Sequence, residues 1–197
     1  MPFGHGVSAS VNRSNNAERV YGVGARNATA TVNKQFDGKI TVDGSLSNAY
    51  WLLGVLGANT DGGTTGAYTH TYTEADLVPS FSVKSSFELG TTDFATTIVG
   101  CKCETASITA AVDEAVKFSL DCSYRYETLS TTKVANNPDI EPVFTFAHGN
   151  IEMPDGTVIA AIQNIELTIN NSSESLYGVG SRFKTANVSK QREYNIT

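Results

Sequence analysis

The sequence predicts an all-β protein with one α-helix, built as a β-sandwich or partly closed barrel, and three observations carry that reading. Residues 116–127 alternate without error. Val116, Phe118, Leu120, Cys122, Tyr124 and Tyr126 fall on one side, and Lys117, Ser119, Asp121, Ser123, Arg125 and Glu127 on the other, the period of a strand with one buried face. Charged residues make up only 17% of the chain and Thr, Ser, Asn and Gly fill the polar positions, as in sheets with one solvated face. One segment alone, 46–56, has a helical period. The 197 residues suit a single domain over 1–197 with a hydrophobic core of its own.

The elements follow in chain order. Residues 7–12 alternate as a short strand, and Asn15-Asn16 lead into Tyr-Gly-Val-Gly-Ala-Arg at 21–26, whose glycines supply left-handed backbone. From Thr29 to Asp43 the alternation of Ala30, Val32, Phe36, Gly38, Ile40 and Val42 reads as one long strand. The helix runs from Leu46 to Leu56, with a face of Leu46, Tyr50, Leu53 and Leu56 widened by Trp51 and Leu52. Ser45 or Ser47 is its N-cap and Gly57 its C′ residue. Gly54 within it costs about 1 kcal/mol relative to alanine, so packing has to hold the helix. Residues 57–67 read as an exposed loop without an apolar anchor. Strands are expected over 68–73, 79–90, 95–111, 115–127, 142–152 and 157–170. The pair 105–112 and 115–127 forms the clearest hairpin, with Asp113-Glu114 at its turn. Residues 128–141 read as a second long surface loop, either decoration or an assembly arm, and Pro154-Asp155-Gly156 as a turn.

The chain also repeats itself. Residues 20–41 and 176–197 align without a gap, and 12 of 22 pairs are identical, including Tyr21/Tyr177, Gly22/Gly178, Val23/Val179, Gly24/Gly180, Arg26/Arg182, Lys34/Lys190 and Thr41/Thr197. Copies at opposite ends cannot stack as neighbours in a solenoid. They suggest a self-complementary architectural protein more than an enzyme. Arg26 and Arg182 stand at equivalent places after the Gly-x-Gly turn. Each either closes its loop on backbone carbonyls or pairs its guanidinium fork with a carboxylate of a neighbouring subunit. With Tyr21 and Tyr177, which open the same turns, they are candidate subunit-interface residues.

Signals for chemistry are weak. Cys101 and Cys103 share a strand face, and Cys122 on the next strand makes a third possible zinc ligand. A closed site needs four, however, so buried free thiols are the plainer reading. His5, His70 and His148 are scattered, and Asp113/Glu114 and Glu88/Asp93 fit turn and solvent roles. Gly22-Val-Gly24 lacks the third glycine and the following helix of a dinucleotide fingerprint. No cofactor, metal or catalytic residue is expected. A net charge of −6 argues against tight nucleic-acid binding, since no basic stripe is present to release phosphate counterions. The start, Met-Pro-Phe-Gly-His-Gly, has no signal-peptide pattern, and no apolar run is long enough to span a bilayer.

Several motifs resemble the major tail tube proteins of tailed viruses, the long-tailed phages and their archaeal relatives. They are Tyr-Gly-Val-Gly-Ser-Arg at 177–182 after an Asn-Asn-rich segment, Thr-Phe-Ala-His-Gly at 145–149, and Phe94–Glu127 with Gly100 followed by Ser107-Ile108-Thr109, a charged turn and an alternating strand. The resemblance covers 8–127 and 142–197. It implies a virion tail protein made in the host cytoplasm. Its sheets join edge to edge into rings, and the rings stack into a tube lined by a shared β-barrel. The implied partners are further copies of itself, viral DNA passing through the lumen without specific binding, and other tail proteins (tape measure, tail tip and terminator). An electronegative lumen suits the net charge, and Ser107, Thr109, Ser119, Asp121 and Glu166, on polar strand faces, are candidate lumen-facing residues. The second copy reaches Thr197, the equivalent of Thr41, short of a second helix, so one tube domain and a six-membered ring are expected. The inner tube of a contractile injection particle is the alternative within this class. A β-sandwich carbohydrate-binding or adhesion module is the alternative outside it.

Overall fold

Fourteen strands and one short helix organise the chain in the computed structural model, which describes residues 3–64, 67–90, 92–133, 141–148, 156 and 162–197. In order they are β1 (His5–Ser14), β2 (Glu18–Val20), β3 (Ala30–Val32), β4 (Asp37–Ser45), a 3-10 turn at Tyr50–Leu52 running into α1 (Leu53–Leu56), β5 (Gly57–Thr64) and β6 (Ala67–Glu74). Then come β7 (Phe81–Leu89), β8 (Thr92–Ala111), β9 (Lys117–Tyr124), β10 (Tyr126–Ser130), a 3-10 turn at Phe146–His148, β11 (Asn164–Asn170), β12 (Glu174–Tyr177), β13 (Lys184–Val188) and β14 (Glu193–Ile196).

The twenty-residue β8 belongs to two layers. Its second half pairs with β9 and β11 inside a path of order β1-β4-β9-β8-β11-β14, antiparallel at every step. Its first half pairs with β7 and β10. The change of direction falls where Gly100 adopts φ +71° and where a bulge interrupts the register between Cys103 and Thr105, the devices that bend strands. The two layers and the helix enclose a core of Ile40, Val42, Trp51, Val55, Ile98, Phe118, Leu120, Tyr124 and the three cysteines, all buried. The Trp51 ring stacks on Phe118 with centroids 5.3 Å apart. Burial of a large side chain of this kind is worth about 1.5–3 kcal/mol, so the alternation on β9 is the strongest local determinant of the layer. At the far end of β9, Arg13 donates from Nε to both carboxylate oxygens of Glu127, at 2.7 and 3.0 Å, and Tyr124 donates to the same group. Burial raises the Glu127 carboxyl, but those bonds outweigh it and hold it below the usual carboxylate range.

Several elements depart from the expectations. The helix starts four residues late, at Tyr50, and neither Ser45 nor Ser47 caps it. Gly57 does end it, at φ +109°. What holds so short a helix is its C-terminal carbonyls: Arg192 donates to the carbonyls of Val55 and Leu56 at 3.2 and 3.1 Å, and Asn171 to Val55 at 3.1 Å. Residues 57–64 and 67–74 form a hairpin where a loop was expected at 57–67. Ladder bonds build it, together with Asn59 and His70 bonding Asp61 at 2.7 and 2.6 Å, so it needs no apolar anchor. The long strand over 29–43 is two, β3 and β4, separated where Phe36 turns into the core. The expected strand over 115–127 breaks after Tyr124, and residues 126–130 pair with the other layer as β10, which runs into the stretch 128–141 read as a loop. The expected strand at 142–152 contains instead a single bridge, Ala115 to Thr145, and the 3-10 turn. The rest of that strand, the Pro154-Asp155 turn and residues 157–161 lie outside the described residues.

Gly38 on β4 faces the Tyr124 ring so closely that a Cβ would lie 2.4–2.7 Å from three ring atoms. Gly62 on β5 has nothing within 4 Å of the same position. Gly38→Ala is therefore expected to destabilise by about 1–3 kcal/mol, a fall in Tm of several degrees by calorimetry, while Gly62→Ala leaves Tm unchanged. Equal melting of the two variants would refute the close packing at Tyr124.

Candidate assembly surface

The path β1-β4-β9-β8-β11-β14 has one face buried against the helix and the smaller layer; the other is polar, covered by β13 at its Ser123 end and left bare around Ser107, Ser119 and Asp121 among the described residues. Register brings all five polar candidates onto the bare face. Ser107 lies opposite Ser119 and Thr168, Thr109 opposite Lys117 and Glu166, and Asp121 opposite Thr41 and Thr105. The Thr41 hydroxyl donates to the Asp121 carboxylate at 2.6 Å. A shallow depression of about 380 Å³, lined by Ser8, Asp43, Ser107, Thr109, Lys117, Phe118 and Ser119 among others, runs across this face. Two of the face's lysines are paired at the rim, Lys117 by Glu114 at 2.5 Å and Lys39 by Glu104 at 3.7 Å, while Lys102, opposite Ser123, has no ion-pair partner among the described residues. Asp43, Glu166 and Glu193 have no ion-pair partner among the described residues, so the face is left negative.

Both edges of the path are open among the described residues. On β14, Glu166 and Thr197 exchange both backbone hydrogen bonds, at 2.9 and 3.0 Å, which sets the phase of the ladder to β11. The N–H and C=O groups of Tyr194 and Ile196 therefore point away from β11, toward the free edge. Tyr194 and Ile196 are 47% and 67% exposed.

The sequence repeat turns out to be the end of a longer structural repeat. β1 through β4 and β11 through β14 are the same unit. Ser14 pairs with Asp37 as Asn170 pairs with Glu193, and Glu18 with Val32 as Glu174 with Val188. Asn16 and Ser172 both adopt φ +44°. The β2–β3 and β12–β13 turns match bond for bond. Ala25 and Ser181 donate to Gly22 and Gly178 at 3.0 and 3.3 Å, and Thr29 and Thr185 hydroxyls donate to Val20 and Leu176 at 3.1 and 3.0 Å. Lys34–Glu18 and Lys190–Glu174 close at 2.6 and 2.5 Å. The glycines are there for backbone: Gly24 and Gly180 stand at φ +78° and +92°. The upstream part of the unit escaped the sequence reading because only Asn15/Asn171 and Glu18/Glu174 are identical there. The matched Glu–Lys pairs were its one available signal.

The two hairpins differ in what they touch. β12–β13 lies across the body and braces the root of β2–β3. Arg182 donates to Asn15 at 2.6 Å, its carbonyl accepts from Phe36 at 2.8 Å, and Tyr177 donates to the Phe36 carbonyl at 3.0 Å. Phe183 packs edge-on to Phe36 and Tyr126, the buried Lys184 pairs with Asp37 at 3.2 Å, and Asn187 bonds Ser123. β2–β3 makes no such contacts among the described residues, and residues 15–35 are exposed throughout. Arg26 and Tyr21 stand in solvent, so the equivalence expected of Arg26 and Arg182 ends at the turn. Of the docking residues, Tyr177 and Arg182 recur as Tyr21 and Arg26, whereas Phe183, Lys184 and Asn187 correspond to Asn27, Ala28 and Thr31.

The sulfur cluster is a core feature. Cys101, Cys103 and Cys122 are free and buried, with Cys101 and Cys103 donating to the carbonyls of Ile98 and Thr105 at 3.7 and 3.3 Å. Burial pushes the Cys101 thiol up to about 12. The Cys122 thiol is raised too, first by its bond with Cys103 and then by burial. Among the described residues no group of three or more His, Cys, Asp or Glu side chains could hold a metal ion. His5, His70 and His148 bond separately to the Glu141 carbonyl, Asp61 and Thr145.

A family model described as phage tail tube protein matches residues 8–197. No curated protein matches the sequence.

Giving β12–β13 the residues of its exposed twin, as Phe183→Asn with Lys184→Ala, is expected to undock it. Amide exchange over 174–188 should rise to that of 18–32 while β8 and β9 stay protected; unchanged protection would contradict the bracing role. The thiols should resist a maleimide at pH 8 in the folded chain and all react in denaturant. Rapid labelling of native protein would place at least one of them at the surface.

Proposed function

The chain belongs to the phage tail tube protein family, a structural component of the virion tail, and we propose that it assembles by joining its open sheet edges into closed rings, six chains to a ring, which stack into the channel for genome delivery. The observation that carries this is strand direction. Neighbours alternate along a path of six strands, so β1 and β14 run in opposite senses. A copy rotated about an axis roughly along the strands presents its β1 antiparallel to β14 of the first copy, with the outward groups of Tyr194 and Ile196 waiting for it. Repetition of that step closes a ring and removes every open edge of the larger layer.

Closing the ring with the helix layer outside turns the bare face of Ser107, Thr109, Ser119, Asp121 and Glu166 into the lumen wall. Its unpaired carboxylates outnumber its one unpaired lysine, Lys102, so the wall repels a phosphate backbone instead of binding it, and DNA slides past. The chemistry asked of the chain is passive. Copies of itself, the other tail proteins and the passing genome are its partners in this reading.

Purified full-length protein is expected to form rings or tubes with a central hole in negative-stain micrographs. Ile196→Pro removes an edge N–H that makes no bond to β11, so it should abolish assembly and leave monomer melting nearly unchanged. Compact monomers of the wild type at high concentration would overturn the proposal.

A further inference from the structure

We infer that the β2–β3 hairpin is a clamp over the seam between two copies, where Arg26 pairs with Glu193 of a second copy. The inference rests on the ring reading and deepens it by naming a contact outside the sheet. The two hairpins are structural twins, and β12–β13 shows in the same chain how such a hairpin docks. It seats on the root of the other hairpin and meets the carboxylate that opens β4, Lys184 to Asp37 at 3.2 Å. The twin of Asp37 is Glu193, which opens β14. Glu193 is exposed and has no ion-pair partner among the described residues. One carboxylate of the twin pair is answered within the chain and the other is not.

The answering base sits on the unbraced hairpin. Ala28 replaces the docking lysine there, but Arg19 and Arg26 are exposed and have no carboxylate partner among the described residues, while Lys34 is held by Glu18 at 2.6 Å. β2–β3 is therefore a basic arm and the start of β14 an acidic receiver. Topology brings the two together. With β14 of one copy antiparallel to β1 of the next, the end of β1, from which β2–β3 springs, lies beside the start of β14, where Glu193 stands. Val23, fully exposed at the tip, is the apolar part of the arm. The same valine recurs, equally exposed, at Val179.

The full-length chain tests this as Arg26→Glu, Glu193→Arg and the double exchange, with the pelletable fraction and micrographs as readouts. Each single reversal puts like charges at the seam and should cut assembly by about tenfold or more, with Tm of the monomer unchanged. The double exchange should restore it. Arg26→Cys with Glu193→Cys should give an intermolecular ladder on non-reducing gels, because the native thiols are buried. Wild-type tubes with single variants that assemble equally well, or a bond formed only within one chain, overturn this contact alone. Wild-type chains that never assemble overturn the ring reading and the contact with it.

Discussion

β8 has to satisfy two layers with one backbone. Over its second half its ladder groups are shared between β9 and β11, and over its first half between β7 and β10. A strand cannot serve two differently oriented layers while remaining regular, so the chain breaks the regularity at two places. Gly100 supplies a positive φ that a side chain would resist, both conformationally and because a Cβ would lie 3.1 Å from that of Arg125. The bulge at Glu104 re-phases the strand against β9 and places that carboxylate against Lys39. The buried thiols sit at this crossing.

The duplicated unit separates what a hairpin needs from what docking needs. Tyr, Gly, Val, Gly, Arg, Thr, Ala, Val and Lys recur because they shape the turn, fix the register and close the Glu–Lys pair, and the same bonds form twice. Docking uses the recurring Tyr177 and Arg182, but what sets the two hairpins apart is the substituted positions. An aromatic ring at 183 and a lysine at 184 gain a buried contact with Phe36 and Asp37, whereas Asn27 and Ala28 have nothing to bury. Equal local structure with unequal surroundings is the expected result when one of two copies is used within the chain and the other is free for a partner.

The sequence made the larger layer legible because burial writes a period of two, most clearly on β9, where every apolar residue from Phe118 to Tyr124 is inside. The polar candidates were legible for the same reason, since the alternate positions must share the other face. What escaped was structure held by backbone and polar bonds. β5–β6, rich in Gly and Thr, carries no apolar pattern. The helix start moved because its stability comes from Arg192 and Asn171, more than a hundred residues away in sequence. The break between β3 and β4 was hidden because Phe36 keeps the alternation while leaving the ladder. Repeats seen by identity stop at residue 20. The structural unit runs back to residue 8, because strand positions on a half-exposed edge accept many residues.

The edges say most about how the chain is used. Proteins that live as monomers guard edge strands with lysine, proline or bulges. β14 reads Glu-Tyr-Asn-Ile with none of these, and its Tyr194 and Ile196 point to the face that elsewhere is core. β1 carries one bulge near its start and otherwise presents Ala9 and Val11 on that same face. Exposed apolar side chains alone are ordinary. Here they coincide with unpaired backbone groups, opposite strand senses at the two ends and a polar face left open around Ser107, Ser119 and Asp121 among the described residues. A soluble binding module would have reason to blunt each of these features. A subunit whose neighbour completes its sheet, as proposed for this chain, has reason to keep all of them.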